Sequence, residues 1–167
     1  DYDEALSTVP AVERVGAARV NVVRSSYDER RQSRVAALQM LYQRDISGFD
    51  GPALDEAMRC YWVEHQTSDS GRRVADRLVH GTVDALDRID ALIEAVADHW
   101  RLSRMAVVDR TVLRLAVYEL LAERVPPAVV IDEAIELARA FSDAQSPRFV
   151  NGVLDAVWRG LTDAAED

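Results

Sequence analysis

Apolar residues recur at three- and four-residue steps along most of the chain, the spacing that lines one face of an α-helix. Val35, Leu38, Leu41 and Tyr42 form the first stripe. Ser26-Tyr27-Asp28-Glu29 lies ahead of it with capping-box spacing, so a helix is predicted from Ser26, as cap, to about Ile46. Gly48 to Pro52 is loop-forming, and a second helix is predicted from Ala53 to about His65, followed by a polar break from Thr67 to Gly71. The stripe of Val74, Leu78, Val83, Ile89, Ile93 and Val96 predicts a long or kinked helix from near Gly71 to about Trp100, with Gly81 as the candidate kink. Between Val107 and Leu121 apolar residues occur on every side, as expected of a helix at the centre of a bundle.

Pro126-Pro127 ends that element, because proline cannot continue a helix and disfavours helix in the residue before it. The next stripe is Ile131, Ile135, Ala138 and Phe141, with Asp132, Glu133 and Glu136 placed elsewhere on the helix. Ser146 is read as a cap followed by a first-turn proline, and the last helix buries Val150, Val153, Leu154, Val157 and Leu161. No strand alternation is visible. The pattern predicts an all-α fold of about seven helices: a weakly structured extension over 1–24, a folded body over 25–162 and a frayed acidic tail over 163–167.

Composition narrows the function. The chain has 167 residues and is 49% apolar, enough for one compact domain or two small lobes sharing a core. No apolar run approaches the roughly 18–20 residues that span a bilayer. A single cysteine, Cys60, excludes an internal disulfide and suits a reducing cytoplasm. The net charge of −9 argues against coating nucleic acid non-specifically, so RNA binding needs a local basic patch or a basic partner. All 20 cations are arginine, which grips phosphate bidentately and stacks on bases.

His65, His80 and His99 have no metal-ligand spacing among themselves or with Cys60, and neither a phosphate-cradling glycine loop nor a nucleophile elbow occurs. No catalytic residue, metal or cofactor is expected. Three constellations remain. Arg30, Arg31 and Arg34 fall within one arc at the start of the first predicted helix and should overhang the edge of the bundle. Cations in a first turn oppose the helix dipole by about 0.3–1 kcal/mol each, partly offset by Asp28 and Glu29. They read either as a phosphate and base clamp or as solubilising charge. Gln145-Ser146-Pro147-Arg148-Phe149-Val150-Asn151-Gly152 enters a helix N-terminus, with Arg148 for phosphate and Phe149 for stacking on a base. Alternatively Phe149 is core and Gly152 admits a tightly packed neighbour. Asp109, Arg110, Arg114 and Glu119 sit on the otherwise apolar central helix, as an internal salt-bridge network or as a docking face.

Four blocks, in order, resemble the NusB family: the arginine-rich opening Arg30-Arg31-Gln32-Ser33-Arg34 running into Leu41-Tyr42; Val108-Asp109-Arg110-Thr111-Val112-Leu113-Arg114-Leu115-Ala116-Val117-Tyr118-Glu119-Leu120-Leu121; Val125-Pro126-Pro127 through Ile131-Asp132-Glu133-Ala134-Ile135-Glu136-Leu137-Ala138 to Phe141; and Arg148-Phe149-Val150-Asn151-Gly152-Val153-Leu154-Asp155. The resemblance implies two packed helical subdomains, no cofactor, and binding to the boxA element of nascent ribosomal RNA together with NusE, a small-subunit ribosomal protein, within the RNA polymerase antitermination complex. Residue by residue it implies RNA contacts at Arg30, Arg31, Arg34, Gln145, Arg148 and Phe149, and NusE docking at Tyr42, Asp109 and Glu119. Some members self-associate, so a homodimer is a further expectation. No membrane or small-molecule substrate is implied.

Two other functions stay open. One is a protein-interaction module that binds NusE or itself without specific RNA binding, which the acidic charge favours. The other is an orphan domain related to the NusB-like portion of RNA cytosine methyltransferases. No catalytic domain is expected here, because the chain ends shortly after the last block.

Overall fold

The computed structural model describes residues 11–97, 99–122 and 124–166, with side chains described from Tyr27 onward. The described residues form seven α-helices and no strand: α1 (Ala11–Ser47), α2 (Pro52–Glu64), α3 (Asp69–Asp84), α4 (Leu86–Val96), α5 (Val107–Ala122), α6 (Pro127–Phe141) and α7 (Ser146–Glu166). A 3-10 turn, Leu102–Arg104, joins α4 to α5. α1, α2 and α3 pack together at one end, and α5, α6 and α7 at the other. α5 touches α1, α3, α4, α6 and α7, so one apolar core runs through both groups. Its Val112, Leu113, Leu115 and Val117 are almost wholly removed from water. No described helix is long and apolar enough to cross a membrane.

α1 departs from expectation at its start. It runs unbroken through Ser26, so Ser26 is no cap, and 11–24 is helical rather than weakly structured. Once a helix is nucleated by packing, each added residue gains a hydrogen bond at low cost, and Ala11 to Arg24 holds no proline to stop it. The expected extension over residues 1–10 lies outside the described residues. Glu29 does not fold back on a cap. Its carboxylate accepts from the hydroxyl of Ser68, and Ser68 accepts from the Gly71 amide at 3.0 Å, capping α3. Ser33 adds a 3.0 Å hydrogen bond to the Gly71 carbonyl, fixing α1 against the start of α3.

The predicted long helix is two helices, and the second ends at Val96 rather than near Trp100. The break falls at Ala85, not at Gly81. Gly81 is instead a point of close approach: a Cβ there would overlap the ring of Tyr118 on α5. The opposite holds at Gly152, where no neighbour comes within 4 Å of a built Cβ, so no tight packing explains that glycine.

The buried stripe of α6 is Val130, Glu133, Ala134, Leu137 and Ala138, turned from the expected one. Ile131 is half-buried and Phe141 is exposed, while the acidic Glu133 faces inward. α7 continues as helix to Glu166, through the stretch expected as a frayed tail; Asp167 lies outside the described residues.

Candidate nucleic-acid interface

Two edges of the bundle carry the expected RNA residues. At the first, α1 places Tyr27, Arg30, Arg31 and Arg34 along its length. Because α1 begins at Ala11, these arginines are mid-helix and no first-turn dipole opposes them. Arg30 is exposed and has no ion pair among the described residues. Arg31 is half-exposed and donates to Glu133 through Nε (3.1 Å) and Nη2 (2.9 Å). Tyr27 donates its hydroxyl to the same carboxylate, and its ring lies 5.2 Å from the Arg31 guanidinium carbon. The hydrogen bond it donates to Glu133 raises the Arg31 pKa further above its already high ordinary value. Burial pushes the Glu133 carboxyl up, but the hydrogen bonds from Arg31 and Tyr27 outweigh it and hold the group below the usual carboxylate range.

Arg34 and Glu119 correct two expectations at once. Each side chain is only 5% exposed, and each is the other's partner: Nε lies 3.1 and 3.0 Å from the two carboxylate oxygens, and Nη2 lies 2.9 Å from Oε1. Arg34 therefore presents no guanidinium to RNA, and Glu119 presents no carboxylate to a docking partner. Neither charge could be buried alone.

At the second edge, the turn before α7 is built on Asp143. Its Oδ1 accepts from the amides of Gln145 (2.9 Å) and Ser146 (3.1 Å), so the cap is Asp143 and not Ser146. The Gln145 amide, with the Ser146 hydroxyl, keeps the Asp143 carboxyl below its ordinary value. Ser146 Oγ is turned inward, 3.0 Å from Asp109 Oδ2, while Ser142 Oγ lies 2.7 Å from Asp109 Oδ1. Asp109 is thus buried and spent on two serines, a brace between α5 and α7 rather than a docking group. Gln145 and Arg148 are exposed at the resulting corner, and Arg148 has no ion pair among the described residues. Phe149 is half-buried and packs against Trp100, its ring 6.0 Å from the indole at 65°.

Trp100, exposed on the α4–α5 connection beside Phe149, is a candidate that the sequence reading passed over. Its signal was a tryptophan set among His99, Arg101 and Arg104.

A separate apolar groove of about 200 Å³ is lined by Leu38, Gln39, Tyr42, Val108 and Phe141. Tyr42 and Phe141 are both exposed there. Close by, the arginines of α5 form an internal network. Arg110 donates to Asp45 at 2.5 Å and to the Leu102 carbonyl at 3.0 Å. Arg114 binds Asp90 at 2.8 and 2.9 Å and reaches Asp45 at 3.3 Å. Burial would lower the Arg114 pKa, but Asp90 and Asp45 outweigh that and raise it. Among the described residues, no three His, Cys, Asp or Glu side chains are grouped to hold a metal.

The transcription antitermination protein NusB of Symbiobacterium thermophilum is 44% identical over 142 residues, covering 81% of this chain and 93% of that protein. The corresponding protein of Anaeromyxobacter dehalogenans is 46% identical over 140 residues, covering 81% and 94%. Among solved structures, T. maritima NusB superposes with a TM-score of 0.72 at 37% identity over 78% of this chain and 90% of that one. A chain from the crystal structure of antitermination factors NusB and NusE in complex with dsRNA gives 0.71 at 28% identity, over 80% and 98%. The NusB family model matches residues 31–159, a span holding every site residue described above except Tyr27 and Arg30, and the chain belongs to the NusB family.

Proposed function

We propose that this protein is a transcription antitermination factor that binds the boxA element of nascent ribosomal RNA together with NusE, as a cytoplasmic adaptor to RNA polymerase and not as an enzyme. The observation that carries this reading is the likeness, along nearly the whole folded body, to a chain crystallised in a complex of NusB, NusE and double-stranded RNA. The functional body is residues 25–162. Arg30 and Arg148 contact phosphate, Gln145 and Phe149 meet bases, and Arg31 adds a cation whose position Glu133 fixes. Tyr42, with Phe141, offers NusE an apolar anchor. The acidic body steers a basic ribosomal protein, and the local arginines orient the RNA.

The test is a titration of boxA RNA and a scrambled control, with and without NusE, comparing wild type with Arg30→Ala/Arg148→Ala. Sequence-selective binding that strengthens with NusE and falls in the variant supports the adaptor. Each phosphate contact removed should also lower the slope of log K against log salt by about one. A second reading, a protein-interaction module without RNA specificity, is favoured by the pairing of Arg31 and Arg34 with carboxylates. It predicts NusE binding, no discrimination between the RNAs, and no effect of the variant.

A further inference from the structure

We propose that Trp100 contacts the RNA directly, forming with Phe149 a two-ring platform that takes one unpaired nucleobase at the junction of the α4–α5 connection and the start of α7. The inference rests on the RNA-binding reading and adds to it a residue and a specificity: single-stranded over paired RNA.

Trp100 leaves 57% of its surface in water, although the apolar core lies close by. The backbone around it is anchored. The Trp100 amide donates to the Ala97 carbonyl at 2.9 Å, the Arg104 amide to the Arg101 carbonyl at 2.9 Å, and Leu102 and Met105 are buried on either side of the turn. The indole is therefore held outward on a fixed frame, which lowers the entropy cost of stacking a base on it. Edge-to-face packing against Phe149 fixes the ring further, and more than half of the residue stays open to water.

The surroundings match an RNA strand. An open groove of about 600 Å³ runs beside the two rings, lined by Val96, His99, Gln145, Arg148 and Gly152. A hollow of about 260 Å³ also borders the two rings, with Arg104, Met105, Asp109 and Asp143 in its wall. In a chain with net charge −9, no acid occurs from His99 to Val108, while Arg101, Arg104 and Arg148 are all exposed, Arg104 in the wall of the hollow and Arg148 in that of the groove. The nearby carboxylates have other work: Asp109 holds Ser142 and Ser146, and Asp143 holds the first amides of α7. Aromatic rings bordered by arginines are how proteins grip single strands, the rings taking bases and the cations taking phosphates. Gly152 gains a role as well. The space above it is empty, and a side chain there would enter the groove.

The experiment compares wild type, Trp100→Ala, Trp100→Phe and Gly152→Leu on boxA RNA as a single strand and as a fully paired duplex, each with NusE present. Trp100→Ala should weaken single-strand binding by about tenfold or more, the scale of one lost base stack. It should leave duplex binding and NusE binding unchanged. Trp100→Phe should keep most of the affinity, and the quenching of tryptophan emission that RNA causes in wild type should disappear with it. Gly152→Leu should weaken single-strand binding with no loss of melting temperature. Selective wild-type binding with Trp100→Ala unchanged, or an equal loss on single strand and duplex, overturns the platform and leaves the adaptor reading standing. No RNA binding by wild type, with or without NusE, overturns both.

Discussion

Truncating Glu119 alone should cost this protein a large part of its stability, because it strands the Arg34 guanidinium in a site that water barely reaches. Three N–H···O contacts of 2.9–3.1 Å now satisfy the pair, and both side chains are 5% exposed. Removing one partner of a buried pair typically costs about 3–5 kcal/mol. For a domain of this size each kcal/mol moves the melting temperature by about 2–4 °C, so Glu119→Leu should melt some 6–20 °C below wild type. Arg34→Met in the same background replaces the stranded charge with apolar volume and should recover most of that loss, since well-packed apolar substitutes for a buried pair are often neutral. Urea unfolding followed by far-UV circular dichroism measures each variant, with an unchanged slope showing that only stability has moved. The double variant should also bind RNA with wild-type affinity, because Arg34 faces Glu119 and not the RNA. A Glu119→Leu cost below about 1 kcal/mol would refute the reasoning, as would a double variant that loses the sum of both single costs. An RNA defect in the double variant equal to that of Arg148→Ala would return Arg34 to the binding face.

Gly81→Ala should destabilise by about 1–3 kcal/mol through overlap with Tyr118. Gly152→Ala, in open space, should stabilise by about 0.5–1 kcal/mol. Thermal melts separate the two, and equal effects would mean that space at these sites decides nothing. Glu133 carries a pH dependence. Its folded pKa is depressed, so its stabilisation is fully present above the ordinary glutamate value of 4.5 and fades as pH falls through the lower folded value. Glu133→Gln should therefore flatten the fall of melting temperature below about pH 4.5; an unaltered fall would assign the acid sensitivity to other carboxylates. Phe149→Ala should weaken single-stranded RNA binding more than NusE binding, and a parallel loss of both would mark a folding defect.

The elements legible in the sequence are those whose burial follows from their own period. The stripes of α5 and of Val150, Val153, Leu154 and Val157 on α7 are of this kind. What escaped was decided at a distance. α6 turns Glu133 inward because Arg31 and Tyr27, about a hundred residues earlier, supply its hydrogen bonds. Arg34 reads like Arg30 along the chain, and only Glu119, 85 positions away, draws it into the interior. The start of α1 was missed because a helix extending from a packed body needs no local signal, while Ser26 and Glu29 mimic one. At the proposed RNA face, Arg148 and Phe149 stood in a helix-entry motif, whereas Trp100 read as the end of a long helix and stood in no motif.

The contact between Gly81 and the ring of Tyr118 also ties the two positions together during descent. Enlarging position 81 first passes through overlap between α3 and α5, at the centre of the bundle. Removing the ring at 118 first passes through a void, at a cost of about 3–5 kcal/mol that is no smaller. Either single step lowers stability, so the two positions should change as a pair, and relatives carrying both a ring at 118 and a Cβ at 81 should be rare.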